Sequence, residues 1–134
     1  MVERSAAAVV GEFVAAINRR DVAALISRVT EDHVFVDSLG ARLVGRDALA
    51  EAWTAYLRMV PDYRIVVSAL IEDGERVAAF GEAGGTYTAD GILRDENRWV
   101  TPAAWLARLR GGKVAEWRVY ADNEPIREVM RRGG

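Results

Sequence analysis

The order of the helix and strand patterns along this chain limits its fold more than any single motif does. Apolar residues recur at three- and four-residue spacing in three early segments, which predicts helices at 5–18, 22–29 and 46–60, the second with Asp21 as its N-cap. Runs rich in β-branched and apolar residues predict strands at 32–37, 63–71, 76–88, 98–110 and 113–121. Because most strands follow the helices, and no strand–helix–strand repeat occurs, the expected class is α+β with a mostly antiparallel sheet covered by helices.

Glycines mark where the predicted sheet turns and bends. Asp73-Gly74 and Gly111-Gly112 lie between strand patterns, as the residues of tight hairpins do. Gly81, Gly84 and Gly85 fall inside one predicted strand, where glycine often accompanies a bulge or a strong bend. A curved sheet is therefore expected.

The composition argues against several classes of protein. The 134 residues suit one domain, 1–134. With no cysteine and one histidine the chain offers no thiolate and no histidine pair, so no metal and no cofactor are expected. The net charge of -2 and the scattered arginines argue against nucleic acid as a partner. No run approaches the roughly twenty apolar residues of a membrane span, and the N-terminus lacks the order of a signal peptide, so the cytoplasm is expected.

One carboxylate stands out at the end of the first predicted strand. Residues 32–37 alternate, which places Val34 and Val36 on one side and His33, Phe35 and Asp37 on the other. Asp37 precedes Ser38-Leu39-Gly40 and could hydrogen-bond the backbone of a turn. An acid among apolar side chains could equally serve as a proton acceptor, because desolvation favours its protonated form. Both interpretations stay open at this point.

The sequence around Asp37 resembles a known group of proteins. The runs DHVFVDSLG and GRDALAEAW, preceded by VVGEFVAAINRRDVAAL, are similar to ketosteroid isomerases, limonene epoxide hydrolases and SnoaL-like cyclases of the nuclear-transport-factor-2-like fold. The resemblance implies a cone-shaped sheet, a cystatin-like α+β roll, whose concave face the N-terminal helices cover and whose open end is a ligand pocket. It also implies a homodimer formed through the sheets, and it puts Asp37 at the position of the isomerases' catalytic base.

The chain departs from the patterns of these relatives at several positions. Matching to the ketosteroid isomerases puts Phe13 where a tyrosine belongs and Trp105 where an aspartate belongs, which makes steroid isomerisation improbable. Phe13 cannot donate a hydrogen bond, whereas the indole N–H of Trp105 can. In Trp117-Arg118-Val119-Tyr120, Val119 replaces the acid of the epoxide hydrolases. The epoxide hydrolases also carry an Arg-x-Asp on the strand predicted here at 76–88. Glu82 falls near the acid of that motif but is expected to be exposed on the convex face.

Two further polar residues have competing interpretations. Asp122 falls where SnoaL-like cyclases carry an acid, but strand alternation puts it opposite Trp117. This favours a cap on a last helical turn or two, predicted at 125–132, so Asp122 ranks second to Asp37. His33 is expected to be a polar residue near the strand end rather than a partner of Asp37. Arg118 and Tyr120 share the outward side with Asp122 and suit an interface between two sheets.

These observations support three hypotheses. The first is a SnoaL-like enzyme of isomerase, cyclase or hydrolase type, acting on an apolar, carbonyl-containing small molecule. The second is a non-catalytic binding protein for an apolar molecule, and the third is a dimerisation module without a ligand. The predicted catalytic residues are Asp37 and Asp122, and the predicted ligand-binding residues are Phe13, Phe35, Trp53, Tyr56, Val60, Trp105, Trp117 and Val119.

Overall fold

One curved sheet and four α-helices make up the computed structural model, which describes residues 4–132. The helices are α1 (Ala6–Asn18), α2 (Val22–Ser27), α3 (Arg46–Met59) and α4 (Glu124–Arg131), with a short 3-10 helix at Asp95–Asn97. The strands are β1 (Val29–Val36), β2 (Arg42–Val44), β3 (Arg64–Asp73), β4 (Arg76–Thr86), β5 (Arg98–Arg110) and β6 (Lys113–Ala121). None of the helices in this part of the chain is long and apolar enough to span a bilayer.

The strands lie in the order β2-β1-β6-β5-β4-β3 across the sheet. Only β1 and β6 run parallel, with Phe35 paired with Trp117, while the other neighbouring pairs are antiparallel. The sheet curls without closing. Helices α1 and α3 pack against its concave face, and α2 packs against α1 and α3. The predicted α+β class, with a curved and mostly antiparallel sheet, is confirmed.

Side-chain caps fix where the first two helices begin. The Ser5 hydroxyl accepts a hydrogen bond from the Ala8 N–H, and the Asp21 carboxylate accepts one from the Ala24 N–H, both at 3.0 Å. Each bond satisfies an amide at the helix N-terminus that has no partner within the helix. The predicted cap at Asp21 is therefore confirmed.

The first strand begins earlier than the sequence pattern predicts. Val29, predicted to end α2, instead starts β1 and pairs with Val114 of β6. This earlier start places His33 within the strand, where its side chain is fully buried. A ring nitrogen, Nδ1, lies 2.7 Å from the Val114 carbonyl oxygen, and the ring lies 6.4 Å from that of Phe13. The prediction of a strand-end His33 is wrong because local alternation could not show this pairing.

A bulge bends the sheet where β3 meets β4. Val67 pairs with Gly81 and Ala69 pairs with Phe80, so Ser68 is an extra residue on β3. A Cβ atom at Gly81 would overlap the Val66 carbonyl, so the two backbones approach too closely for any side chain there. The predicted irregularity is present, although the extra residue, Ser68, lies on β3 across from Gly81 and not on β4, which carries the glycines.

Candidate functional site

An open cavity of about 460 Å³ lies between α3 and the concave face of the sheet. Its lining combines one face of α3, alternate residues of β5 and β6, a few residues of β1, β2 and β4, and the turn that follows β1. The lining residues are Phe35, Asp37, Ser38, Ala41, Arg42, Leu43, Leu49, Ala52, Trp53, Tyr56, Tyr63, Ala83, Trp99, Thr101, Ala103, Trp105, Trp117, Val119, Ala121 and Asn123. The volume is in the range of small-molecule binding sites.

Aromatic rings form most of the cavity wall. All four tryptophans of the chain line it, together with Phe35, Tyr56 and Tyr63. Trp53 contacts its neighbours edge to face, at 6.3 Å from Phe35 and 6.1 Å from Tyr56. Such packing leaves flat apolar surfaces directed at the enclosed space, which suits a flat apolar ligand.

Helical spacing explains how α3 supplies one wall. Leu49, Ala52, Trp53 and Tyr56 lie at positions i, i+3, i+4 and i+7, and therefore share one face. Gly45 precedes the helix with φ of 96°, a conformation that side chains rarely adopt. The glycine thus sets the angle at which α3 leaves β2 and crosses the sheet.

The two tyrosines of the cavity have raised pKa values. Tyr56 lies on α3 and Tyr63 lies between α3 and β3, and their rings meet edge to face at 5.1 Å. Burial raises the pKa of Tyr56, and burial together with the neighbouring Tyr56 raises that of Tyr63. Both phenols therefore remain neutral and can donate hydrogen bonds near neutral pH.

Asp37 both closes a turn and lines the cavity. One carboxylate oxygen, Oδ1, accepts hydrogen bonds from the N–H groups of Leu39 and Ala41, each at 2.9 Å. The Asp37 N–H in turn donates to the Ala41 carbonyl. These bonds fix the half-buried carboxylate at the cavity wall, and within residues 4–132 its second oxygen, Oδ2, has no hydrogen-bond partner. The turn and pocket interpretations of Asp37 are therefore compatible.

Three residues predicted for the site do not line the cavity. Phe13 is fully buried on α1 and packs behind the ring of Trp117, with centroids 4.8 Å apart. Val60 is fully buried after the end of α3, where its side chain packs against Gly85. The Asp122 carboxylate accepts a hydrogen bond from the Glu124 N–H at 2.9 Å, at the start of α4. Strand alternation favoured this helix-end position for Asp122.

The remaining predicted residues come together, and others join them. Phe35, Asp37, Trp53, Tyr56, Trp105, Trp117 and Val119 all line the cavity. Trp99, Thr101 and Ala103 share the inward face of β5 with Trp105, so two-residue alternation could have found them. Tyr63, Arg42 and Asn123 carry no such signal, because they lie at the ends of elements that meet only in the folded chain.

Polar side chains are concentrated near the turn that contains Asp37. Asn123, which precedes α4, donates a hydrogen bond of 2.6 Å to the Ser38 hydroxyl and so ties α4 to this turn. Arg42 is exposed beside it and brings the positive charge in the lining. Within the described residues no three histidine or acidic side chains converge as a metal site would require. Glu82 is exposed on the convex face, as predicted, while the adjacent Ala83 faces the cavity.

A helix-covered, unclosed sheet with a cavity on its concave side defines the nuclear-transport-factor-2-like fold, which solved structures also show. The model of a family described as a SnoaL-like domain matches residues 10–117. The chain therefore belongs to the SnoaL-like family. A search of curated proteins gave no significant match.

Several solved structures share the fold at low sequence identity. A putative SnoaL-like polyketide cyclase from Shewanella denitrificans has a TM-score of 0.81 and 12% identity, over 95% of this chain and 97% of that chain. IdmH, a putative polyketide cyclase from Streptomyces antibioticus, has a TM-score of 0.79 and 18% identity, over 96% and 99% of the two chains. A ketosteroid isomerase-like protein from Catenulispora acidiphila, solved with trimethylamine, has a TM-score of 0.72 and 21% identity, over 84% and 83%.

Proposed function

We propose that this protein binds a flat, apolar, carbonyl-containing small molecule and catalyses acid–base chemistry of the isomerase, cyclase or hydrolase type. The observation that carries the proposal is the cavity itself. Seven aromatic residues surround an open space in which Asp37 is the one carboxylate among the described lining residues. Apolar walls with a few fixed polar groups are typical of sites that orient a small substrate. The putative polyketide cyclases among the structural relatives support chemistry of this general kind.

The proposed reaction begins with removal of a proton from the carbon next to the carbonyl group. Asp37 takes this proton on Oδ2, since Oδ1 is occupied by the turn. Negative charge then develops on the carbonyl oxygen and requires a hydrogen-bond donor. Trp105 is the candidate donor. Val36 of β1 pairs with Arg118 of β6, so the next residue, Asp37, lies level with Val119. Val119 pairs with Trp105, and therefore Trp105 and Asp37 share one level of the sheet.

The alternative is a binding protein without catalytic activity. The mostly apolar lining favours it, as do the two backbone hydrogen bonds that already give Asp37 a structural role. A dimerisation module without a ligand fits less well, because such a protein gains nothing from leaving about 460 Å³ of its core open.

Substitution of Asp37 separates the two functions. Asn at position 37 can still accept hydrogen bonds from Leu39 and Ala41 but cannot take a proton. We expect Asp37→Asn to keep its fold and its affinity for apolar ketones, and to lose about 10²- to 10⁴-fold in deuterium exchange at the carbon next to the carbonyl, followed by NMR. Asp47→Asn, at an exposed acid on α3, is the matched control and should exchange at the normal rate.

The result has two contrary outcomes. Full exchange activity in Asp37→Asn would remove Asp37 as the base, and Asp122→Asn would be the next variant to test. If wild type binds ketones but exchanges none of those screened, and Asp37→Asn only melts earlier, the protein is a binder and Asp37 a turn residue.

The proposed assembly is a homodimer formed through the convex face of the sheet. Phe80, Ala104 and Tyr120 lie side by side on β4, β5 and β6, and the two aromatic side chains are 43% and 52% exposed. Val100 adds a third exposed apolar side chain on this face. Contiguous apolar surface of this kind usually marks an interface.

A further inference from the structure

Three hydroxyl groups occupy the end of the cavity that lies away from Asp37. They belong to Tyr56 on α3, Tyr63 before β3 and Thr101 on β5, and all three residues line the cavity. Tyr63 and Thr101 are 8% and 4% exposed, so both are almost completely enclosed. We call these three groups the hydroxyl end of the cavity.

The pairing of the strands gives the position of the hydroxyl end. Trp105 shares a level of the sheet with Asp37, and Thr101 lies four residues along β5 from Trp105. Four residues of strand span about 13 Å. Tyr63 lies farther still from Asp37. Arg64 pairs with Gly84, and the next residue of β4, Gly85, pairs with Trp99. Tyr63, which precedes Arg64, therefore lies level with Trp99. The aromatic walls therefore separate two polar ends of one cavity.

The hydroxyl groups at this end have no hydrogen-bond partners in the part of the chain that the structure describes. Among residues 4–132, the Arg20 side chain donates a hydrogen bond of 3.4 Å to the backbone carbonyl of Tyr63, and the Tyr63 phenol forms none. Within the same described residues, neither the Tyr56 phenol nor the Thr101 hydroxyl has a hydrogen-bond partner, and none of the three oxygens is fully buried without one. Buried hydroxyl groups normally form hydrogen bonds, and because these three residues line the cavity, a ligand or water in it can supply the partners.

We propose that the hydroxyl end is a second polar subsite, which binds an oxygen function at the end of the ligand farthest from the reacting carbonyl group. This inference rests on the proposed function and narrows its substrate class. The ligand would carry oxygen functions at both ends of a flat apolar body: a carbonyl group beside Asp37, and a hydroxyl or second carbonyl group among Tyr56, Tyr63 and Thr101.

A pair of matched ketones tests the subsite. The probes are para-acetylbiphenyl and the same ketone with a hydroxyl group at the far para position, and their affinities are measured by titration calorimetry. We expect the hydroxylated ketone to bind wild-type protein about tenfold more tightly, which corresponds to one additional hydrogen bond. In the double variant Tyr56→Phe/Tyr63→Phe the ratio of the two affinities should approach one.

A matched variant controls for the loss of a phenol elsewhere. Tyr120→Phe removes an exposed hydroxyl on the convex face and should keep the tenfold ratio. If the double variant does not fold, Thr101→Val, which keeps the shape of the side chain, should lower the ratio.

Each contrary outcome has a distinct meaning. Equal affinity of wild type for the two ketones would overturn the subsite, leaving water as the partner of these hydroxyls, while binding of the unsubstituted ketone would still support the proposed function. A ratio that survives in the double variant would place the recognition elsewhere and would also overturn the subsite. If wild type binds neither ketone, the proposed function fails and the subsite fails with it.

Discussion

Trp105 and Trp117 stack on the cavity wall with ring centroids 6.1 Å apart and an interplanar angle of 18°. They lie on adjacent strands, since Trp105 pairs with Val119 and Trp117 pairs with Ala107. Phe13 supports the Trp117 ring from behind at 4.8 Å. The wall of the proposed site is thus also part of the hydrophobic core, and substitutions there affect stability and ligand binding together.

Trp105→Ala should both open the cavity and destabilise the fold. The ring is 2% exposed, so its removal deletes core contacts that the neighbours cannot fully replace. We expect the free energy of unfolding to fall by about 3–5 kcal/mol in urea titrations, and a crystal structure to show an enlarged cavity. Trp105→Phe should cost less. Unchanged stability with an unchanged cavity would show that the ring is not packed as described.

Gly81→Ala should destabilise the bulge between β3 and β4. The added Cβ would overlap the Val66 carbonyl, and the two strands would have to separate. We expect a loss of about 1–3 kcal/mol in the free energy of unfolding. Gly11→Ala is the matched control, because nothing lies within 4 Å of its Cβ position on α1. It should stabilise the helix by about 0.5–1 kcal/mol, and equal effects at both sites would contradict the close backbone approach.

The proposed dimer is tested by a charge on the convex face. A homodimer through this face should bury about 1,200–2,000 Å². Phe80→Asp places an unpaired charge there and should give a monomer by light scattering at micromolar concentration. Ile92→Asp changes a comparably exposed apolar residue, at 56%, in the loop between β4 and β5 and should remain dimeric. A monomeric wild type under the same conditions would refute the proposal.

His33 should make the stability of the fold depend on pH. Burial lowers the pKa of His33. The hydrogen bond to the Val114 carbonyl and the charges of Glu116 and Asp32 raise it, but the effect of burial is larger. The folded state therefore keeps His33 neutral, while the unfolded state binds a proton near its ordinary pKa of about 6.5. Stability is fully present above that pH and falls as the pH decreases toward the folded-state pKa.

Urea titrations at neutral and mildly acidic pH measure this dependence. Wild type should lose up to about 1.4 kcal/mol per pH unit below the unfolded-state pKa. His33→Gln can still donate to the Val114 carbonyl but cannot titrate, so most of this loss should disappear. A loss of the same size in the variant would assign the pH dependence to the carboxylates.

Local sequence patterns were enough to predict most elements of the fold. The apolar stripe of α1, the cap at Asp21 and the Gly111-Gly112 hairpin each depend on neighbouring residues, and the structure places these elements where the pattern predicts. The alternating patterns of β5 and β6 likewise predict that Trp105 and Trp117 face inward. Periodicity suffices here because each choice of face is made within one element.

The position of each remaining group depended on contacts between distant segments. His33 is buried because β1 starts at Val29 and pairs with β6, and Ser68 is extra because Gly81 lies opposite, on another strand. Phe13 was expected in the site and lies behind it, since the distance of a ring from the cavity depends on how α1 packs on Trp117. The sequence by itself determined which residues face inward. Only the tertiary structure decided which inward residues meet the open space, because that depends on the curvature of the sheet and the crossing of α3.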